Sequence, residues 1–143
     1  MSNKPLKDYD ACALLAMLIY GEGRGESVEG QIAIGNVVRN RVMHPNWWGR
    51  SWRTVMLKPY QFSCFLEDDP NLPKMMEAWH NRCENYSMKQ AAWIALGIID
   101  HRLRDNSREA THYYSTSIMP PKWALGHEPV VQIGNHKFFK LLA

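Results

Sequence analysis

The chain has 143 residues, 45% of them apolar and 22% charged. That mix suits one globular domain with a real core and excludes disordered and collagen-like classes. A net charge of +3 suits contact with polyanions such as cell walls, nucleic acid or anionic lipid, and selects none of them. Residues 1–10 are polar and lack the apolar segment and small-residue cleavage site of a secretory signal. The longest apolar stretch, 11–19, is too short to cross a bilayer, so no stable membrane association is expected. Residues 9–20 predict a first helix, capped by Asp8 or Asp10 and ended by Gly21, Gly23 and Gly25. Ser27 is an N-cap for a second helix, Val28–Met43, with Val28, Ile32, Gly35, Val38 and Val42 on one face and Pro45 as the stop. A short helix is predicted at 51–57 and an irregular loop at 59–70. Two more helices follow at 73–83 and 87–103, the latter with Ala92, Leu96 and Ile99 on one face. Strand formers cluster at 111–115. Residues 130–133 and 136–141 read as a hairpin across Gly134-Asn135. The fold class is α+β, mostly α, in one domain over 1–143 with a small C-terminal β element.

Cys12, Cys64 and Cys83 are odd in number and show no CxxC spacing. A disulfide framework or zinc ribbon is not expected, and a reducing place of synthesis is.

The segment Tyr20-Gly-Glu-Gly-Arg-Gly-Glu26 places a carboxylate where an apolar helix breaks into glycines. At the helix C-terminus the macrodipole disfavours the charge on Glu22, and partial burial disfavours it further. Both raise its pKa, as a general acid at neutral pH requires. The same pattern also reads as a solvated glycine C-cap with Glu22, Arg24 and Glu26 paired on the surface. Glu26 begins the second helix, where the dipole favours its ionised form, and Arg24 or Arg39 is its expected partner. In Pro59-Tyr-Gln-Phe-Ser-Cys-Phe65, Gln61 and Ser63 offer neutral hydrogen bonds while Tyr60 and Phe62 offer rings. Pyranoses present a polar edge and an apolar face to such a mixture; the alternative is a loop pinned to the core by Phe62 and Phe65. Trp47, Trp48 and Trp52, near Arg50 and Arg53, form a candidate saccharide platform, with at least one of them expected in the core. His112, His127 and His136 invite a zinc reading, but their spacing matches no ligand signature such as HExxH. His112 and His136, beside strands, read as hydrogen-bonding or substrate residues.

Several segments resemble the SleB-like cell-wall hydrolases, the spore cortex-lytic enzyme family that also occurs as phage endolysins. They are Leu15-Ala-Met-Leu-Ile-Tyr-Gly-Glu-Gly-Arg-Gly-Glu26, Glu29-Gly-Gln-Ile-Ala-Ile-Gly-Asn-Val-Val-Arg-Asn-Arg41, Gln61-Phe-Ser-Cys64, Ala110-Thr-His-Tyr-Tyr114, Pro121-Lys-Trp123 and Ile133-Gly-Asn-His-Lys-Phe138. The resemblance implies a lysozyme-like, mostly helical fold. It implies cleavage of peptidoglycan glycan strands between N-acetylmuramic acid and N-acetylglucosamine, typically as a lytic transglycosylase without a cofactor or metal. The first Glu of the family's Gly-Glu-x-x-Gly-Glu motif is catalytic and falls on Glu22. Gly23 stands where the family commonly has alanine. Glu26, Gln61, Phe62, Ser63, Thr111, His112, Tyr113 and His136 are the expected substrate-binding residues. The expected setting is a monomeric phage-type endolysin that waits in the host cytoplasm until a holin releases it to the wall. Two alternatives remain: a zinc-dependent N-acetylmuramoyl-L-alanine amidase and a non-catalytic wall-binding module. No nucleic-acid partner is expected, since no helix-turn-helix, zinc-finger or RNA-binding signature is present.

Overall fold

The computed structural model describes residues 4–59 and 61–142. Among these residues five α-helices, α1 (Ala11–Gly23), α2 (Val28–Met43), α3 (Trp52–Leu57), α4 (Asn71–His80) and α5 (Tyr86–Ile99), precede three strands, β1 (His112–Ser115), β2 (Val131–Ile133) and β3 (His136–Phe139). The α+β, mostly α architecture follows the expectation. No described helix is long and apolar enough to cross a membrane.

Helix α1 is the axis of the core. Asp10 caps it by accepting the Ala13 N–H at 2.8 Å. Every residue from Ala13 to Ile19 is buried, because α2, α4 and α5 pack around it. The expected stop at Gly21 does not occur, and the helix runs on to Gly23. Gly21 is instead a packing site, where an added Cβ would stand 2.3 Å from Met75 Sδ and 3.2 Å from Cys64 Cβ. The chain turns only at Gly25, whose φ is +94°. This extra turn puts Glu22 inside the helix, on its last turn.

Helix α2 starts as expected, with Ser27 Oγ accepting the Gly30 N–H at 3.1 Å. Its burial does not follow the predicted single face. Val28 is exposed, whereas Ala33, Ile34, Val37 and the polar Asn36, Asn40 and Arg41 are buried. The helix lies between α1 and α5 on one side and the sheet on the other. The buried amides brace the irregular stretch that leads to β1. Asn36 donates to Arg104 O at 3.3 Å, and Asn40 donates to Asp105 Oδ2 and to Ala110 O, both at 2.9 Å.

Helix α4 begins two residues before the predicted start, so that Pro73 sits in its first turn, where no intrahelical donor is lost. Helix α5 is capped by Asn85 and stops at Ile99; His101 follows with φ +63°. Its buried face is Met88, Ala91, Ile94, Ala95 and Ile98, not Ala92, Leu96 and Ile99. Gly35 of α2 sets this phase, since a Cβ there would stand 2.3 Å from Ile98 Cδ1.

The strands form one antiparallel sheet in the order β1-β3-β2. Tyr113 lies opposite Phe138, and the β2–β3 hairpin turns through Gly134-Asn135 with Gly134 at φ +57°. Tyr113, His136 and Phe138 share one face in ring contact. His112, Tyr114 and Phe139 share the other, each in contact with Trp123.

Candidate active site

The last turn of α1 delivers Glu22 to the sheet, where the Tyr113 hydroxyl donates to Glu22 Oε1 at 2.9 Å. Burial raises the Glu22 pKa above its ordinary value, with Asp69 adding to the rise; the Tyr113 hydrogen bond and His136 pull the other way without cancelling it. Tyr113 is held well above the usual phenol range by its own burial and by Glu22, so it remains a donor. The carboxyl is therefore half-buried, oriented by one neutral donor, and biased towards its protonated form.

Glu22, Tyr113 and Trp123 are common to two arms of one cleft. One arm, of about 450 Å³, adds Arg41, Trp47, Gln61, Phe62 and His112. The other, of about 440 Å³, adds Ser63, Tyr114, Ser115, Ile118, Pro121 and His136. Among the described residues Glu22 is the one carboxylate lining either arm. Glu109 is occupied on the surface by Lys140 at 2.7 Å, while Glu67 and Asp68 are exposed and line neither arm.

The cleft gathers Gln61, Phe62, Ser63, His112, Tyr113 and His136 around Glu22. Two predicted members are not part of it. Thr111 is fully buried, and its hydroxyl serves the sheet end, accepting the Leu141 N–H at 2.9 Å and lying 2.9 Å from His112 Nδ1. Glu26 sits behind the hairpin. Its Oε1 accepts the Asn135 N–H at 3.3 Å and lies 3.3 Å from His136 Nδ1, out of line for a hydrogen bond. Burial pulls the Glu26 pKa up, but the Asn135 N–H, His136 and the Asn135 side chain outweigh it and hold the group below its ordinary value. The expected pairing with Arg24 or Arg39 is absent: Arg24 binds the Tyr20 hydroxyl at 2.8 Å, and Arg39 points to Leu103 O at 3.5 Å. The Gly25 turn carries Glu26 towards the hairpin.

Of the three clustered tryptophans, only Trp47 faces the cleft. Trp48 is core, its Nε1 donating to Arg41 O at 2.9 Å, and Trp52 packs half-buried against the core. Tyr60 lies outside the described residues. His112 is held down at about 4 by burial and by the nearby Arg41 and His127, so it is neutral at pH 7. His112, His127 and His136 do not converge, and no group of three or more His, Cys, Asp or Glu among the described residues is placed to hold a metal ion. Among the described residues, then, no donor set is assembled for the zinc amidase alternative.

Arg41 and Trp123 were not among the predicted site residues. Trp123 had a signal only in the Pro121-Lys-Trp123 segment. Arg41 had a physical one: it follows Ile34, Val37 and Val38 at helical spacing, a charge in phase with core positions.

Glu22 is thus a carboxyl of raised pKa in a cleft lined by aromatic rings, one side-chain amide and two imidazoles. The match to the Cell Wall Hydrolase family model spans residues 25–139, and the chain belongs to that family. Glu22 stands just ahead of the matched span. The chain is also similar to the spore cortex-lytic enzyme of Bacillus subtilis, with 29% identity over 125 residues that cover 87% of this chain and 36% of that protein. It thus spans about a third of that relative. Its fold matches the catalytic domain of the germination-specific lytic transglycosylase SleB from Bacillus anthracis, with a TM-score of 0.65, 22% identity and coverage of 98% of this chain and 99% of that one. The catalytic domain of the Bacillus cereus SleB protein matches at a TM-score of 0.64 and 23% identity, covering 97% of this chain and 100% of that one.

Proposed function

We propose that this chain cleaves peptidoglycan glycan strands between N-acetylmuramic acid and N-acetylglucosamine as a lytic transglycosylase. The observation that carries the reading is the Glu22 carboxyl, raised in pKa, held by Tyr113 and, among the described residues, unaccompanied by a second cleft carboxylate. Protonated Glu22 donates its proton to the glycosidic oxygen as the C1–O bond breaks. The resulting carboxylate accepts the proton of the muramoyl C6 hydroxyl as that oxygen bonds to C1. The products are a new sugar end and a 1,6-anhydro ring, and Glu22 regains its starting form. One carboxyl serves both steps, whereas ordinary glycosidases use a pair. Tyr113 orients the carboxyl through its hydrogen bond to Oε1, and the rings of Trp47 and Trp123 offer stacking faces for the sugars.

Digestion of purified sacculi followed by mass spectrometry tests this. Anhydro-muramoyl ends, one water lighter than hydrolysed ends, are expected from the intact protein and not from Glu22→Gln. Reducing muramoyl ends alone would replace transglycosylation with hydrolysis. Free stem peptides would replace both with amidase chemistry, and wall binding without any product would leave a binding module.

A finer reading places the protein as a phage-type endolysin held in the host cytoplasm until a holin opens the membrane. Cys12, Cys64 and Cys83 are unpaired, which suits a reducing compartment. Expression should be tolerated until chloroform or a pore-former opens the inner membrane and lysis follows. Lysis through an intact membrane would refute this setting.

A further inference from the structure

One arm of the cleft contains a cation that the protein leaves without a counter-charge. Arg41 is 5% exposed. Its Nε donates to Thr111 O at 2.7 Å and one terminal nitrogen donates to Gln61 Oε1 at 3.2 Å. Its guanidinium lies over the rings of Trp48 and Phe62 at 5.5 and 5.4 Å. Among the described residues no carboxylate is within 4 Å of it. Burial lowers its pKa to about 10, so it is still charged at pH 7. An arginine buried for structure alone is ordinarily matched by an acid, because an isolated buried charge is costly. Here the one acid that lines the same arm, Glu22, is engaged by Tyr113. His112, on the wall of the same arm, is neutral and adds no negative charge. A guanidinium that retains free donors at a cleft wall is built for a planar anion.

We infer that this arm is a carboxylate-recognition subsite, in which Arg41 binds the acidic group carried on the lactyl side of a muramic acid residue. The inference rests on the wall-glycan reading and adds register to it. The two sugars of the strand alternate and present similar rings, but only muramic acid bears an acidic arm. The acid is a stem-peptide carboxylate or, where the stem has been removed, the lactyl carboxylate itself. Seating it on Arg41 determines which of the two alternating bonds lies over Glu22.

The test is binding of soluble glycan tetrasaccharides to Glu22→Gln protein, read by quenching of tryptophan fluorescence. Three probes are used: the fragment with stem peptides, the fragment stripped to its lactyl carboxylates, and the stem-bearing fragment with all carboxyls amidated. At least one acidic probe should bind roughly 10- to 100-fold more tightly than the amidated one, the range for a hydrogen-bonded ion pair. The tighter of the two identifies the source of the acid. Raising salt should narrow the gap. Adding Arg41→Gln should abolish the preference between acidic and amidated probes, and Arg41→Lys should keep part of it. Equal binding of acidic and amidated probes by the Arg41 protein would overturn the subsite, with no variant needed. Equal weakening of all probes by Arg41→Gln, with a lowered Tm, would also overturn it and leave Arg41 as a clamp for the Gln61 loop. In either case anhydro products from the intact protein would leave the reaction standing. If no probe binds and no product forms, both proposals fall.

Discussion

Replacing Tyr113 with Phe removes one atom from the site and tests how the carboxyl is controlled. The lost contact is the 2.9 Å hydrogen bond to Glu22 Oε1. In the ground state the acceptor is a neutral acid, for which such a bond contributes about 0.5–1.5 kcal/mol; when the proton leaves, the acceptor is a carboxylate and the contribution rises to about 1.5–3 kcal/mol. Only the difference, roughly 1–1.5 kcal/mol, lowers the barrier, so kcat should fall about 5- to 10-fold while KM changes little. The hydrogen bond also lowers the Glu22 pKa. Its loss raises that pKa, the acid stays protonated to higher pH, and the basic limb of the rate profile moves up. The assay is release of anhydro ends from a soluble glycan across pH, with circular dichroism and Tm as folding controls. An unchanged kcat with an unchanged basic limb would refute the Tyr113–Glu22 coupling. A collapse in Tm would instead show that Tyr113 acts through packing.

Glu22→Gln should cut lysis by about 10²–10⁴-fold with the fold intact, and a variant keeping half the activity would remove Glu22 from the mechanism. Because the folded pKa of Glu22 is raised, stability is lost as pH rises through it; Glu22→Gln should therefore melt higher than wild type at pH 7, with the gap closing below the ordinary carboxyl value of 4.5. Glu26→Gln has the opposite sign. The folded pKa is lowered, so its contribution is present above 4.5 and disappears as pH falls through the folded value; at pH 7 the variant should lose up to about 1 kcal/mol and melt a few degrees lower, and a full loss of activity with unchanged melting would put Glu26 in the chemistry. Gly21→Ala adds a Cβ 2.3 Å from Met75 Sδ; the gain in helix propensity of about 1 kcal/mol is outweighed by overpacking of about 1–3 kcal/mol, so Tm should fall, and a rise would show that Met75 gives way freely.

Much of this molecule is written in local chemistry. Asp10 and Ser27 mark helix starts because their side chains reach N–H groups within the same turn. The Gly134-Asn135 turn declares its hairpin because few other residues accept φ of +57°. Glu22 stood out as an acid at the end of an apolar helix. Neighbours distant in sequence decided the rest. Gly21 and Gly23 read as helix breakers, but Met75 and Cys64 on one side and Gln31 and Ile34 on the other fill the space that a Cβ would need. The exposed and buried faces of α5 depend on where Gly35 lets Ile98 approach. Thr111 and Tyr113 looked alike on one strand, yet one hydroxyl closes the sheet against Leu141 and the other reaches Glu22. Arg41 carries a hint in its helical phase; only the packed structure shows that no acid among the described residues meets it. Spacing along the chain records which groups an element presents, whereas pairing, desolvation and access depend on which other element arrives opposite.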